Sequence, residues 1–251
     1  MVQVLRRALK VLEVVSEDPV RPHGLGEIAA AAGLNAATCA RILKTLVEAG
    51  YVEQVAPKKG YRLGVMPYVL ASRVPLERYL VQCAQPVLAN LAAETGETTL
   101  LAVLRQGRRV VVVQVEGGQA VQVRSDYLQV FDPYQTATGR LLLAHLSAPA
   151  LAHTVARIGL PGNSWPEVQS AAELHEALEQ LRSEEVVVRA AGQVVGIASP
   201  VRQRGEVAAA VGLYLPRHRF AGEHRERILA GIRTAARAIT ARLSDPEREE
   251  R

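Results

Sequence analysis

Apolar residues in the first 64 positions recur three and four apart. Leu5, Leu9 and Leu12, widened by Val4, Ala8, Val11 and Val15, predict a helix with one apolar face. Asp18, Pro19, Pro22 and Gly24 end it and form a loop. A short second helix over residues 25–32 stops at Gly33. Asn35 suits the start of a third, because its side chain can accept a backbone N–H from the first turn. That helix runs to Ala49 and is closed by Gly50. Its Cys39, Ile42, Leu43, Leu46 and Val47 keep the spacing of a buried face, while Ala37, Arg41, Lys44 and Glu48 lie opposite. Two strands over 51–55 and 61–63 are joined by Ala56-Pro57-Lys58-Lys59-Gly60, a hairpin with a basic tip. Helix, helix, tight turn, helix, basic hairpin is the order of a winged helix-turn-helix.

The pattern then changes. Residues 65–78 read as a linker helix (Met66, Val69, Leu70) broken near Pro75, and Leu80, Cys83, Val87 and Leu91 mark a longer amphipathic helix ending near Gly96. Strand-like segments follow at 98–104, 110–115 and 121–124, separated by glycine turns. An irregular stretch leads to a helix beginning near Thr138 and Gly139, and further helices are expected at 148–158 and 171–184. Strands return at 185–189, 194–202 and 206–215, before a last helix at 222–243 and a charged tail from Ser244. The fold class is α+β, with an antiparallel sheet expected between helices from both ends of a second domain. The division reads 1–64, a connector 65–78, and 79–251.

Charge sharpens this picture. The net charge is +5, and all four lysines (Lys10, Lys44, Lys58, Lys59) fall in the first 64 residues, which points to a polyanion as partner there. The third helix offers a slim edge (Ala36, Ala37, Thr38, Arg41) to a major groove wide enough for a helix. Arg41 and Lys44 reach phosphates or guanine edges, and Lys58 and Lys59 straddle the neighbouring backbone, adding affinity by counterion release. The same module could instead serve protein contacts alone.

Composition excludes other classes. Aromatics make up only 4% of the chain, against a base-stacking RNA platform. The longest apolar run, 207–215, is far short of a bilayer span, and Arg6, Arg7 and Lys10 make the N-terminus an amphipathic helix rather than a signal peptide. Two cysteines, Cys39 and Cys83, supply no disulfide framework; both sit on apolar helix faces, and a reducing, cytoplasmic setting fits.

Several blocks of this sequence resemble the IclR-type bacterial transcriptional regulators. They are GLNAATCARILKTLVEAGYVE (33–53), GYRLG (60–64), QPVLANLAAETGETTLLAVL (85–104), YQTATGRLLLA (134–144) and ASPV (198–201), in the family's order along essentially the whole chain. The resemblance implies a winged helix-turn-helix, a linker helix and a GAF-like domain that binds a small effector. It also implies dimers or tetramers on palindromic double-stranded DNA operators, acting as repressors. Thr38 and Arg41 match the family's recognition helix, and Gly60, Tyr61 and Arg62 its wing. Ala36 and Ala37 stand where the family usually has Lys-Ser, so the operator sequence is not legible.

In the second domain, Ala137, Thr138 and Gly139 match the helix start whose backbone N–H groups hold small acids in the family. Opposite them, Gly196, Gly212 and Tyr214 occupy the places of a cysteine and two serines, and the family's acid beyond the preceding helix is missing, with Glu184 and Glu185 only near. The expected site is roomier and less polar, suited to an organic acid or aromatic effector more apolar than a keto acid. Alternatively Tyr214 fills it and the regulator answers to no small molecule.

Catalytic, metal and cofactor signals are weak. His175-Glu176 lacks a second histidine, His145 and His153 are separated by Pro149, and His218 and His224 sit in a basic stretch that reads as solvated. Ser199-Pro200 and Ser125-Asp126 have no nucleophile-elbow context. No catalytic residue, metal ligand or cofactor is assigned. An enzyme on the GAF-like fold is the rival from another class, but Gly196, Gly212 and Tyr214 give it no acid, base or nucleophile. Trp165 reads as a dimer contact or a lid.

Overall fold

The computed structural model describes residues 2–18, 21–56, 59–72, 78–119, 123 and 130–244. Lys58, the break near Pro75, the strand expected over 121–124 apart from Val123, and the tail after Ser244 lie outside the described residues. The chain divides into two compact units, residues 1–76 and 77–251.

The first unit contains α1 (Gln3–Ser16), α2 (Leu25–Ala31), α3 (Ala36–Glu48), β1 (Val52–Gln54), β2 (Tyr61–Leu63) and α4 (Met66–Ser72). Asn35 Oδ1 accepts from the Thr38 N–H at 2.8 Å, satisfying one of the unpaired donors of the first turn of α3. β1 and β2 pair antiparallel with Glu53 opposite Arg62. Across the outer edge of β2, His23 and Tyr61 exchange both backbone hydrogen bonds at 2.8 Å, so the loop before α2 is stitched to the wing. Gly60 permits this. Its φ is +98°, and a Cβ there would lie 2.9 Å from the His23 carbonyl oxygen.

The core of this unit joins Val11, Val14 and Val15 of α1 to Ile28, Cys39, Leu43 and Leu46. Burial also pushes the Cys39 thiol up, away from the thiolate that redox chemistry needs. One expectation is corrected here. Val4, Leu5 and Leu9 are not buried; Leu5 and Leu9 are each 60% exposed. The three-helix core reaches only the C-terminal half of α1, leaving the apolar flank of its first turns uncovered.

The second unit contains α5 (Arg78–Thr95), β3 (Thr98–Arg105), β4 (Arg108–Val115), α6 (Ala137–Ala144), α7 (Ala148–Ile158), α8 (Ala171–Ser183), β5 (Val187–Ala191), β6 (Val194–Gln203), β7 (Glu206–Pro216) and α9 (Gly222–Leu243). Its five strands run in the order β4-β3-β7-β6-β5, every neighbouring pair antiparallel. The helices from the two ends of this unit do not flank the sheet, as the sequence suggested. α5 and α9 share one face, against Leu101, Val103, Ile197, Leu213 and Leu215. The other face carries Leu100, Ala102, Ala198 and Ala210, and receives α6 through Ala137, Leu141 and Leu142. Alternation explains the split: one parity is mostly large and apolar, while the other carries Ala102, Ala198 and Ala210 and admits a short helix close to the strands.

Behind α6, helices α7 and α8 close a further layer around Leu143, Leu151, Leu174 and Leu178. Trp165 is 7% exposed within that layer and lies beneath the Arg140 guanidinium, 3.7 Å from the ring centroid. It is a packing residue of this subunit, not a lid.

The basic stretch after β7 is also not simply solvated. Glu97 is 2% exposed and receives Arg219 on both oxygens (Nε to Oε1 at 2.7 Å, a terminal nitrogen to Oε2 at 2.5 Å), with His224 Nε2 3.2 Å from Oε1. This pair ties the start of β3 to the segment entering α9. Removing one partner of a buried pair leaves the other charge uncompensated. Glu97→Ala is therefore expected to destabilise the second unit by about 3 kcal/mol in denaturant unfolding, whereas Glu226→Ala, at an exposed ion pair with Arg225, changes stability by less than about 1 kcal/mol.

Candidate functional site

Two surfaces gather the residues singled out from the sequence. On the first unit, α3 buries Cys39, Ile42, Leu43 and Leu46 and exposes Ala36, Ala37, Arg41 and Lys44. Thr38 is half-buried at the helix start. Lys44 stands 3.9 Å from Glu48 with 79% of its side chain exposed, a loose pair that leaves the cation available. Lys59 is exposed on the wing. Arg62 is ion-paired across the hairpin to Glu53, and Tyr61 packs against the unit's core. Ala36, Ala37, Arg41, Lys44 and Lys59 thus form the exposed set. Tyr61 and Arg62 brace the wing, and Lys58 lies outside the described residues.

The second surface is a cavity between the sheet and the start of α6. It brings together Ala137, Thr138, Gly196, Gly212 and Tyr214, as the sequence suggested, along with Leu100, Arg109 and Arg189, which it did not. Register builds its floor. Arg189 lies opposite Gly196, Gly196 opposite Tyr214, and Tyr214 opposite Thr98, one row across four strands. Directly opposed residues share a face, so this whole row faces α6.

The start of α6 is held by two threonines. Thr136 Oγ1 accepts from the Gly139 N–H at 3.0 Å, so that donor is spent on capping rather than on a ligand. Thr138 Oγ1 accepts from Arg109 Nε at 2.7 Å. Arg109 is 2% exposed and also donates to the Val130 carbonyl at 3.4 Å. Burial lowers its pKa to about 10, offset in part by Tyr214, so it remains a cation at neutral pH. Burial pushes the Tyr214 phenol up to about 12, opposed by Arg109 and by a hydrogen bond with Thr98 and reinforced by Glu116; it is a neutral donor there.

The expectation of a roomier site is therefore corrected. The cavity measures about 30 Å³, space for one or two waters. The position of Gly212 is not empty: a Cβ on it would come within 2.7 Å of both Leu100 Cδ1 and Thr138 Cγ2. At Gly196 a Cβ would fit instead, in ordinary contact with Ala137 Cβ at 3.7 Å and the Arg189 carbonyl oxygen at 4.0 Å. Two arginines, Arg109 and Arg189, join an otherwise largely apolar lining. Glu185 does not replace the missing acid; its carboxylate pairs with Arg233 and Arg237 of α9.

Arg109 was hidden because Arg108-Arg109 reads as the polar rim of a turn. Counting parity through a two-residue turn finds it: with Arg105 opposite Arg108, Arg109 falls opposite Leu104, on the face of Leu100 and Ala102. The sequence pattern puts Arg189 at the end of a strand over 185–189; the strand is Val187–Ala191, with Arg189 at its centre. Among the described residues no three His, Cys, Asp or Glu side chains gather as a metal cluster, and no helix is long and apolar enough to cross a membrane.

Comparison with known proteins places both units. Residues 4–56 match the IclR helix-turn-helix domain, and residues 76–241 match the C-terminal domain of bacterial transcriptional regulator IclR. The chain is 30% identical over 183 residues to the transcriptional repressor IclR of Escherichia coli, a match covering 72% of this chain and 66% of that protein, just under two thirds of its length. It is 30% identical over 239 residues to the HTH-type transcriptional regulator Rv1719 of Mycobacterium tuberculosis, covering 92% and 88%. Among solved structures, an IclR homolog complexed with 4-hydroxybenzoate from Microbacterium hydrocarbonoxydans matches with TM-score 0.73 and 25% identity over 96% of this chain and 99% of that one.

The two cavity glycines are expected to respond differently. Gly212→Ala forces Leu100 or Thr138 to move and costs about 1–3 kcal/mol, read as a lowered Tm. Gly196→Ala meets only ordinary contacts and leaves the Tm within about 1–2 °C.

Proposed function

The chain belongs to the IclR family of bacterial transcriptional regulators, and on that premise we propose how its two units divide the work. It is a DNA-binding regulator rather than an enzyme, as its named relatives are regulators. The first unit inserts the Ala36, Ala37, Thr38 and Arg41 edge of α3 into the major groove. The alanines let the backbone approach, Arg41 reads a base edge, and Lys44 and Lys59 neutralise phosphates. The observation that carries this reading is a single compact unit whose α3 buries one face and leaves Ala36, Ala37, Arg41 and Lys44 exposed.

Reading two half-sites of a palindrome takes two copies. The uncovered flank of α1, with Val4 at 59% and Leu5 and Leu9 at 60% exposure, supports a homodimer, in which a second copy covers it. Dimers can pair further into tetramers. The regulator works in the cytoplasm as a repressor, like the E. coli relative bearing that name. A small acid entering the cavity at the start of α6 releases the operator. The acid has different affinities for the DNA-competent and incompetent arrangements, without which it shifts nothing. A second reading, a regulator without an effector, is favoured by the cavity's size of about 30 Å³. A thermal-shift panel of organic acids separates the two: stabilisation by any acid supports the first, and none supports the second.

The DNA-binding reading is tested on the duplex upstream of the protein's own gene. Arg41→Ala is expected to weaken specific binding roughly ten- to a hundred-fold. Lys59→Ala weakens specific and random duplex alike and lowers the salt dependence by about one counterion. No binding to any duplex at low ionic strength overturns the reading.

A further inference from the structure

A second concavity lies away from the one at the start of α6 and shares no lining residue with it. It opens beside the β3–β4 turn, between residues 131–134 and the end of α7, and measures about 540 Å³ against about 30 Å³. That is the size of a small-molecule site. Among the described residues of the second unit, the exposed large apolar side chains are Phe131, Leu160 and Val188, and Phe131 and Leu160 both line this one groove. Contacts between segments fix its frame. The Tyr134 hydroxyl donates to the Gly159 carbonyl at 2.9 Å, and the Arg109 backbone N–H to the Phe131 carbonyl at 2.8 Å. Gly107, at φ +70°, brings the turn so close to α7 that a Cβ on it would lie 2.9 Å from Ile158 Cγ2.

One cation overhangs these apolar walls. Arg108 is exposed in the groove, its guanidinium 5.9 Å from the centroid of the Phe131 ring, and among the described residues no carboxylate pairs with it. The one acid in the lining, Asp132, is committed elsewhere. Its Oδ1 accepts from the Tyr134 N–H at 2.9 Å, its Oδ2 accepts from Gln135 Nε2 at 3.1 Å and from the Ser164 hydroxyl, and its charge acts on Arg140 behind it. Arg157, exposed next to Ile158 on α7, donates to the neutral Gln106 Oε1 at 2.9 Å on the facing turn. The groove thus joins an apolar floor to a cationic rim.

We propose that this groove binds an apolar monocarboxylate, alkyl or aryl, with its carboxylate on Arg108 and its tail along Phe131, Ile158 and Leu160. The site is additional to the cavity at the start of α6 and does not depend on the effector reading. The guanidinium supplies a planar fork that matches a carboxylate with two parallel hydrogen bonds. A tail lying on Phe131 and Leu160 removes from water the apolar surface they now expose. Asp132 sets the charge of the ligand: with a carboxylate already in the lining, a second negative charge on the bound molecule is repelled, so a monoanion suits the groove better than a dianion.

The test uses the full chain in isothermal titration calorimetry at constant ionic strength. The probes are octanoate and 4-phenylbutyrate, their neutral amides, and acetate as the acid without a tail. At least one of the two long acids is expected to bind roughly ten-fold or more tightly than its own amide and than acetate. Arg108→Gln and Phe131→Ala, both at exposed side chains and checked for an unchanged melting transition, each weaken that acid by about five-fold or more. Binding that is unchanged in both variants puts the acid at another site and overturns the proposal, while leaving the effector reading intact. Equal binding of acid and amide, or no binding of either long acid, overturns it as well. Sedimentation of Phe131→Glu is expected to show the same oligomeric state as the unmodified chain. A smaller species shows instead that a second copy covers the groove, and the proposal falls.

Discussion

A guanidinium that is almost fully removed from water constrains everything around it. Arg109 sits on an edge strand yet points under α6, where its Nε donates to Thr138 Oγ1 and a terminal nitrogen reaches the Val130 carbonyl. An unsatisfied buried cation costs several kcal/mol, so the helix start and the loop before it must be where they are. The backbone N–H of Arg109 adds a further tie, to the Phe131 carbonyl at 2.8 Å. From this anchoring follow the placement of α6 over the small-residue face of the sheet, the position of its N–H groups and the shape of the cavity. A regulator needs a helix that is firmly placed but not immovably so. Two of the Arg109 hydrogen bonds run to oxygens of Thr138 and Val130, which ties its charge to the helix start and to the loop before it.

The first unit solves a different problem with little material. Its wing has only two three-residue strands, and a two-stranded ribbon is marginal by itself. The His23–Tyr61 bridge adds an extra rung from the loop before α2, and Tyr61 lays its ring on the same core that α3 packs into. The recognition helix and wing are thereby fixed to one apolar core. Their spacing is set by packing rather than by the hairpin.

Much of this was legible from local chemistry. Where punctuation is strong, element ends follow it: Asn35 and Gly50 bracket α3, Gly96 closes α5, and α9 begins at Gly222. The exposed edge of α3 followed from the period of the apolar positions. What escaped depended on distance along the chain. Glu97 and Arg219 are 122 residues apart, and neither announces the other in a sequence. Gly212 looked like vacated space because the residues that occupy it, Leu100 and Thr138, come from a different strand and a helix. The apolar flank of α1 looked buried because a periodic stripe says that something covers it, not that the same subunit does.

The chain contains one tryptophan, and its location gives it a use beyond packing. Trp165 lies under Arg140, whose Nε also donates to the Tyr134 carbonyl just before the α6 start. An indole stacked on a cation one helical turn from the cavity lip is sensitive to small rotations of that helix. The protein thus carries an intrinsic fluorophore beside the start of α6, and its emission can report on a change at the neighbouring cavity without any label being attached.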